Sequence, residues 1–341
     1  MKISELVRSN IRTLKPYSSA RDEFSGAEGV FLDANENPFG VLNRYPDPYQ
    51  NELKQILAEL REVSVSQVFV GNGSDEVIDV LFRAFCEPGH DKALTFTPTY
   101  GMYQVSADIN NVELIQVPLS DSFEIDLDEF KQRLEKGVKL IFICSPNNPT
   151  GNAVSNEVIR TVLNNFDGIV VVDEAYADFN NGDSAIKLVN EYPNLIVSQT
   201  MSKAWGLAAA RVGFAITSEE VIGYMNKIKP PYNVSALNQK AAIEALRDKD
   251  GFNQRLKAIL EEKDKLKAAL TNLKKVVKIY PSDTNFLLVE FEDANRTYNE
   301  LVDRKVIVRN RSGYIKNCIR ITVGSKEENE ILMNALKELE A

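Results

Sequence analysis

The sequence predicts an α/β protein: a large domain with a mostly parallel sheet between helices, plus a smaller α+β domain. Short apolar runs rich in β-branched residues, at 139–144, 168–172, 195–198 and 213–217, alternate with segments long enough to form helices. Uninterrupted apolar runs of this length are typical of strands buried on both faces of a sheet. The chain also has 341 residues, more than one hydrophobic core usually fills, so a second domain is expected.

The chain is predicted to divide into an N-terminal arm at residues 1–30, a large domain at 31–235 and a small C-terminal domain at 236–341. The arm begins with a short amphipathic stretch. Residues 31–45 are expected to pack in part with the small domain, and the segment 32–50 is too rich in Asn, Pro and Gly for regular structure.

Helices of the large domain are predicted at 51–62 and 156–165, and a glycine turn opens into a third helix over 71–85. In the small domain, one long helical tract is predicted over 238–273. Six apolar residues form a core-facing stripe along it: Leu256, Ile259, Leu260, Leu266, Leu270 and Leu273. Strands are predicted at 286–291, 305–310 and 318–324, and a last helix at 327–339.

Composition excludes several classes of protein. The net charge of −9 argues against a nucleic-acid partner. No apolar run approaches the roughly 20 residues that cross a bilayer, and the N-terminus lacks the apolar core of a signal peptide, so we expect a cytoplasmic protein without a membrane partner. The three cysteines are scattered and form no CxxC pair, so neither disulfides nor a metal site are expected. His90 is the only histidine, which leaves acid–base chemistry to other groups.

The unusual polar segments follow the apolar runs directly. SPNNPTG follows the first run, DEAY the second and QTMSKAWG the third. Because α/β sheets bind ligands just past the carboxyl ends of their strands, these segments predict one site at one edge of the sheet.

Lys203 lies in the third of these segments, and Thr200, Ser202 and Arg211 around it can supply hydroxyl groups and a fixed cation for a phosphate. A lone lysine is more often a solvated surface charge, so the prediction depends on these neighbours.

Asp173 ends a predicted buried strand, and Tyr176 follows it by three residues. A carboxylate at a buried strand end can pair with a protonated ring nitrogen, although an isolated aspartate there is about as often a cap. Asn148 lies in a loop held by two prolines and can donate to a ring hydroxyl, but Asn, Pro and Gly also build plain turns.

Gly73, Ser74 and Asp75 open a predicted helix, where backbone N–H groups and the helix dipole favour an anion. A plain N-cap is the alternative for such a segment. Tyr100 lies beside a proline turn and can stack on a ring, although a single tyrosine is more often part of the core.

In order and spacing these motifs resemble the fold-type-I pyridoxal 5′-phosphate (PLP) aminotransferases over essentially the whole chain, and most of all the histidinol-phosphate aminotransferase family. The segments that carry the resemblance are LDANENPFG, NRYPDP, GNGSDE, PTYGMY, SPNNPTG, VDEAY, SKAWGLAAARVGF and IRITVG. Trp205 and Ala209 stand where relatives often have Phe and Gly, a change in packing near the lysine. The resemblance implies a seven-stranded, mostly parallel sheet in the large, PLP-binding domain.

The resemblance also implies roles for individual residues. Lys203 holds the cofactor as a Schiff base and moves the substrate proton, Asp173 pairs with the pyridinium, and Tyr176 bonds the phenolic oxygen. The other implied cofactor-binding residues are Gly73, Ser74, Asp75, Tyr100, Asn148, Thr200, Ser202, Arg211 and, from the neighbouring subunit, Tyr45. The implied substrate contacts are Tyr17, Asn37, Arg309 and Arg320.

The implied reaction is a ping-pong transfer of the amino group of L-histidinol phosphate to 2-oxoglutarate, in a homodimer with shared active sites. Three alternatives stay open from the residues: an aromatic amino-acid aminotransferase or a phospho-amino-acid decarboxylase of the same fold, and a PLP-binding regulator without catalysis. The regulator is disfavoured because no basic DNA-binding segment is attached, and a dinucleotide-binding protein is weaker still because no GxGxxG follows the first strand.

Overall fold

The computed structural model describes residues 2–18, 29–180 and 182–339. The helices are α1 Ile3–Leu6, α2 Ser9–Thr13, α3 Asn51–Arg61, α4 Ser74–Phe85, α5 Met102–Ile109, α6 Leu127–Arg133, α7 Asn156–Asn164, α8 Glu219–Ile228, α9 Ala236–Arg247, α10 Lys249–Thr271, α11 Ala294–Asp303 and α12 Lys326–Glu338. The strands are β1 Val68–Gly71, β2 Lys92–Thr97, β3 Glu113–Pro118, β4 Val138–Cys144, β5 Ile169–Asp173, β6 Leu195–Thr200, β7 Gly213–Ile216, β8 Val276–Ile279, β9 Phe286–Phe291, β10 Arg309–Asn310 and β11 Cys318–Thr322.

The larger sheet of the described residues has seven strands in the order β1-β7-β6-β5-β4-β2-β3. Strands β3, β2, β4, β5 and β6 pair in parallel, and β7 runs antiparallel to both β6 and β1. The predicted α/β class with a mostly parallel sheet is therefore confirmed. All the parallel strands end at one edge of the sheet, and β1 ends there too, because two antiparallel steps restore its direction.

Both faces of this sheet are buried, as the apolar runs predicted. In β5, Val170 and Val172 belong to one hydrophobic cluster, while Ile169 and Val171 belong to the cluster on the opposite face. All four side chains are completely buried. Because successive side chains of a strand point to opposite faces, a central strand needs an apolar residue at every position, which is why the sequence shows a continuous run.

The smaller sheet has the order β10-β11-β9-β8, and its pairings are antiparallel. One face packs against helices in a separate apolar cluster that includes Leu266, Leu287, Ile319 and Ile321. The opposite face carries Arg320 and faces the large sheet's site. An antiparallel sheet with one core face alternates apolar and polar residues, as Ile319, Arg320 and Ile321 do.

The predicted arm and domain division can be placed against these clusters. Ile3, Val7 and Ile11 are buried in the apolar cluster on one face of the large sheet, where the described start of the arm packs on α8 and the end of α4. Ala242 and Leu246 of α9 also join a cluster of the large sheet. The boundary at residue 235, and the packing of 31–45 with the small domain, stay predictions.

The prediction of one helical tract over 238–273 is wrong, because two helices occupy it. The helical conformation is interrupted at Asp248, whose φ and ψ are −87° and 62°. Its carboxylate accepts a hydrogen bond from the Gly251 N–H at 3.0 Å and so caps the second helix. An aspartate that binds nearby backbone in this way competes with the helical hydrogen bonds.

The predicted strand at 305–310 is also too long, since only Arg309–Asn310 pairs. It lies at the edge of its sheet, where β11 is its one neighbour. Strands β1, β2, β3 and β8 were not predicted. Of these, β3 and β8 are edge strands with exposed residues, so neither shows a continuous apolar run. In the described part of the chain, no helix combines the length and apolar character that a membrane span needs.

Gly213 sets how closely β7 approaches the start of α4. A Cβ atom at this glycine would lie 2.2 Å from the Ser74 nitrogen and 2.5 Å from the Gly73 carbonyl carbon. Both atoms belong to the backbone, so a side chain could enter only by moving the helix.

We therefore expect Gly213→Ala to lower the free energy of unfolding by about 1–3 kcal/mol, the range for overpacking, and to displace the start of α4. Gly223→Ala is the matched control, because its Cβ in α8 meets nothing within 4 Å. That change should instead raise stability by roughly 0.5–1 kcal/mol through helix propensity. Urea unfolding of both variants measures this, and an equal response of the two would contradict the role given to Gly213.

Candidate active site

A cavity of about 1220 Å³ opens at the carboxyl ends of the parallel strands, below the polar face of the smaller sheet. It brings together residues from the whole length of the chain. The sequence-predicted residues that line it are Ser74, Asp75, Tyr100, Asn148, Asp173, Tyr176, Thr200, Ser202, Lys203, Arg211, Arg309 and Arg320.

One end of the cavity is built for an anion. Gly73 precedes α4 with a φ of +84°, which favours glycine, and a Cβ there would lie 2.6 Å from Arg211 Nη2, so a side chain would displace the guanidinium. Arg211 Nη1 donates to Ser202 Oγ at 3.3 Å, and Nη2 lies 3.4 Å from Asp75 Oδ2. Thr200 Oγ1 accepts from the Ser202 N–H at 3.1 Å. Hydroxyl groups, a guanidinium and the first turn of a helix thus converge, as phosphate binding requires.

Asp173 is buried at the end of β5. Its Oδ2 accepts a hydrogen bond from the Tyr103 hydroxyl at 2.8 Å, and its Oδ1 accepts one from the Ala175 N–H at 3.2 Å. Burial raises the pKa of Asp173 to about 6, while these two hydrogen bonds act in the opposite direction. The carboxylate is therefore ionised at neutral pH, as pairing with a protonated ring nitrogen needs.

Tyr103 is a functional candidate that sequence reasoning missed. Its ring is completely buried and stacks on Phe142 at 4.9 Å between ring centres. A tyrosine on the apolar face of a helix is normally a core residue, and the sequence carries no signal that its hydroxyl meets Asp173.

Lys203 opens into the cavity, with its Nζ 5.6 Å from the centre of the Tyr176 ring. Partial burial lowers the pKa of Lys203, and the charge of Arg320 lowers it further, against the opposing charges of Asp75 and Asp173. A lowered pKa leaves more of the lysine as a free amine at neutral pH, and the free amine is the form that condenses with a carbonyl.

Two tyrosines and an amide surround the lysine. Tyr100 donates its hydroxyl hydrogen to Asp75 Oδ1 at 3.0 Å. Tyr176 packs edge-on against Phe286, with 5.2 Å between ring centres, and burial raises its pKa above the ordinary range. Asn148 Oδ1 accepts from Arg320 Nη1 at 2.5 Å, which leaves the amide hydrogens of Asn148 for another acceptor.

The smaller sheet contributes arginines. Arg309 and Arg320 lie directly opposite each other in the register of β10 and β11, so they share a face. The Arg320 guanidinium lies 5.2 Å from the centre of the Phe286 ring. Arg311 and Tyr314 line the same cavity and were not predicted. The signal for Arg311 was its position two residues after Arg309, on the same side of an extended chain.

Three predicted residues lie elsewhere within this chain. Tyr45 stacks on Tyr232, with 4.4 Å between ring centres, and Asn37 accepts from the Phe39 N–H at 3.0 Å. Tyr45 and Asn37 line a second depression of about 530 Å³. Tyr17 is 72% exposed. Their assignment to the site stays a prediction.

The cavity fits the predicted cofactor on its own geometry. The space at Gly73 that a Cβ would fill, with Arg211 beside it, suits the phosphate group. The buried Asp173 suits the ring nitrogen, and the amine of Lys203 suits the aldehyde. The volume is large for one small ligand and accommodates a cofactor with a substrate. Among the described residues, His, Cys, Asp and Glu form no group that could hold a metal ion.

Residues 26–336 match the family model described as aminotransferase class I and II. A histidinol-phosphate aminotransferase of Christiangramia forsetii is 51% identical over 99% of this chain and 98% of its own length. One of Cytophaga hutchinsonii is 49% identical over 98% of both chains. The crystal structure of the Sinorhizobium meliloti histidinol-phosphate aminotransferase in complex with pyridoxal-5′-phosphate superposes with a TM-score of 0.80, at 26% identity over 87% of this chain and 82% of that one. The chain therefore belongs to the class I and II aminotransferases and, within them, to the histidinol-phosphate aminotransferase family.

Proposed function

We propose that this chain is a PLP-dependent enzyme of histidine biosynthesis that transfers the amino group of L-histidinol phosphate to 2-oxoglutarate. The products are 3-(imidazol-4-yl)-2-oxopropyl phosphate (imidazole acetol phosphate) and L-glutamate. The observation that carries the proposal is sequence identity near 50%, over nearly the whole chain, to proteins named histidinol-phosphate aminotransferase. The convergence of an amine, a buried carboxylate and several arginines in one cavity supports it independently.

PLP, when bound, supplies an electron-accepting ring through which an amino group passes between an amine and a keto acid. The residues proposed to hold its phosphate are Gly73, Ser74, Thr200, Ser202 and Arg211, and Asp75 is proposed as a further cofactor-binding residue beside Arg211. Asp173 would keep the ring nitrogen protonated, Asn148 and Tyr176 would bond the phenolic oxygen, and Tyr100 would stack on the ring.

Lys203 is the proposed catalytic base. Because burial and the Arg320 charge lower its pKa, its amine can accept a proton from the substrate Cα. The same amine can then return the proton to the cofactor carbon next to the transferred nitrogen. Asp173 and Tyr176 complete the proposed catalytic set. Asp173 would stabilise the positive charge of the ring nitrogen, and Tyr176 would stabilise the negative charge of the phenolic oxygen.

Arg309 and Arg320 are proposed to bind the anionic group of the substrate. That group is a phosphate in one half-reaction and a carboxylate in the other, and a guanidinium can bind both through paired hydrogen bonds. Arg320 lies nearer the chemistry, because its guanidinium already contacts Asn148 and Phe286.

The enzyme is proposed to act as a cytoplasmic homodimer with shared sites. Tyr45 is 52% exposed in a segment that also exposes Phe39 by 83% and Val41 by 98%. An exposed apolar segment of this kind favours burial against a second copy. Across a two-fold axis, Tyr45 would reach the cofactor phosphate of the other subunit. Tyr17 and Asn37 are proposed to contact the substrate.

The first test compares amine donors. Purified protein with PLP should convert L-histidinol phosphate and 2-oxoglutarate to glutamate, and Lys203→Ala should reduce turnover to background while retaining the ability to bind substrate. Borohydride reduction of the wild type should attach the cofactor to Lys203, as seen by peptide mass spectrometry. A label on Lys54 would contradict the assignment. Burial lowers the pKa of that lysine too, to about 8, so it could also react.

Preference for phenylalanine or tyrosine as donor would support the aromatic aminotransferase instead, and release of CO₂ from a phosphorylated amino acid would support the decarboxylase.

The second test concerns the pH dependence set by Asp173. Below about pH 6 this carboxyl becomes protonated in the apoprotein and no longer offers a negative charge to the protonated ring nitrogen, so cofactor affinity should fall there. Tyr103→Phe removes a hydrogen-bond donor that favours the carboxylate, so the pKa of Asp173 rises. The acid limb, which is the fall in cofactor affinity at low pH, should therefore move up by about one pH unit. Reconstitution of the apoprotein with PLP across pH measures the shift.

Tyr280→Phe is the control for this change, because it removes a tyrosine hydroxyl that bonds Glu290 outside the cavity. Asp173→Asn carries no titratable group and should retain PLP through the other contacts while losing most activity at every pH. An acid limb of Tyr103→Phe that coincides with that of the wild type would exclude the role of Tyr103, and a near-normal rate in Asp173→Asn would exclude that of Asp173.

The third test asks whether the site is shared. Lys203→Ala and Tyr45→Ala, each severely impaired alone, are mixed after the subunits are dissociated and reassociated. In a hybrid dimer with shared sites, one site carries both lesions and the other carries neither. Random reassortment makes half of the dimers hybrid, so activity should recover to roughly a quarter of wild type. If Tyr45 serves its own subunit, every hybrid site carries one lesion and activity stays at background.

A further inference from the structure

Three arginines share the polar face of the smaller sheet. Arg309 pairs with Arg320 across β10 and β11, and Arg311 follows Arg309 by two residues. The Arg311 N–H donates to the Cys318 carbonyl at 2.9 Å, so pairing continues past the end of β10. Alternation along an extended chain then puts Arg311 on the face of Arg309, and all three arginines line the cavity.

The charges of these arginines are not balanced by protein. Within residues 2–18, 29–180 and 182–339, none of the three forms an ion pair with a carboxylate. The Nε atoms of Arg311 and Arg320 are buried without a hydrogen-bond partner. Buried guanidinium N–H groups are rarely left unbonded in a folded protein, so a ligand with several anionic oxygens fits here.

Arg311 lies deeper than Arg309. Arg309 is exposed, whereas Arg311 is half-buried. Burial raises the pKa of the Tyr176 hydroxyl, and Arg320 and Arg311 act against that rise, so the charge of Arg311 reaches the centre of the site. Burial lowers the pKa of Arg311 itself, and the neighbouring charges of Arg320 and Arg309 lower it further.

The two half-reactions make different demands on these donors. A carboxylate has two oxygens and one negative charge, which the fork of a single guanidinium satisfies. A phosphate monoester has three terminal oxygens and a charge between −1 and −2. Once Arg320 has bonded two oxygens, a phosphate still presents a third oxygen and further charge, whereas a carboxylate presents neither.

We propose that Arg311 determines specificity for phosphorylated substrates by binding the third oxygen of the substrate phosphate beside Arg320, and that it contributes little to carboxylate binding. This inference rests on the proposed function and adds to it a division of labour between the arginines. Arg320 serves both half-reactions, and Arg311 serves the phosphate half-reaction.

The test measures each half-reaction separately in the PLP-loaded enzyme, by the change in cofactor absorbance. Arg311→Gln should lower kcat/KM for L-histidinol phosphate on the order of 10- to 100-fold, mostly through KM, as expected for the loss of a charge-assisted hydrogen bond. For L-glutamate the same variant should stay within about threefold of wild type, a difference too small for a lost hydrogen bond. Arg320→Gln should lower both, and Arg311→Lys should recover part of the phosphate half-reaction because it restores the charge without the fork.

Lys316→Gln is the matched control, since it removes one positive charge from an exposed position in the same loop. It should leave both half-reactions unchanged. An equal loss of both half-reactions in Arg311→Gln would overturn the proposal in favour of a structural or general electrostatic role. A larger loss with glutamate would also overturn it, because Arg311 would then be a carboxylate site.

Inorganic phosphate gives a measurement that does not depend on the proposed substrate. As a competitive inhibitor of the glutamate half-reaction, it should bind Arg311→Gln at least tenfold more weakly than wild type, while inhibition by succinate, a dicarboxylate, changes little. Unchanged inhibition by phosphate would overturn the role of Arg311 whatever the natural substrate is. If wild type fails to use L-histidinol phosphate but the phosphate effect holds, the proposed function fails and the phosphate site stands.

Discussion

Parallel pairing of strands buried on both faces is the constraint on which this structure depends. Because β2, β4, β5 and β6 run in the same direction, their carboxyl ends meet at one edge, and the loops that follow them share one cavity. Asp173 ends one of these strands, and Thr200 ends the next. Strand β1 ends at the same edge, which brings Gly73 and the first turn of α4 to Arg211. The common direction of the strands therefore brings residues that are far apart in sequence close together in the cavity.

The electrostatics of the site differ from those of the whole molecule. The chain carries a net charge of −9, yet Arg211, Arg309, Arg311, Arg320 and Lys203 line the cavity. Burial lowers the pKa values of Lys203, Arg311 and Arg320, and neighbouring arginine charges lower them further. The same positive charges favour an anionic ligand, and the lowered pKa leaves Lys203 uncharged more often than it would be in water.

The smaller sheet is attached to the site through hydrogen bonds to the loop that carries Asn148. The Asp283 N–H donates to the Gly151 carbonyl at 2.7 Å, and the Asp283 carboxylate accepts from the Ala153 N–H at 3.1 Å. These bonds join the sequence before β9 to the loop that carries Asn148. Arg320 Nη1 bonds the same Asn148, so the side chain that would hold the cofactor oxygen and the one that would hold the substrate anion are positioned together.

The sequence by itself determined the buried strands β4 to β7 and the residues at their ends, because a strand buried on both faces must be apolar throughout and Asp173 or Lys203 then stands out beside it. It also determined the family, through motifs spread along the chain. Only the tertiary structure decided which hydroxyl bonds Asp173, that the tract after residue 235 breaks at Asp248, and that Arg311 joins the other arginines. The physical reason is that these features depend on packing between segments distant in sequence, or on one side chain competing with a helix, and neither leaves a periodic pattern.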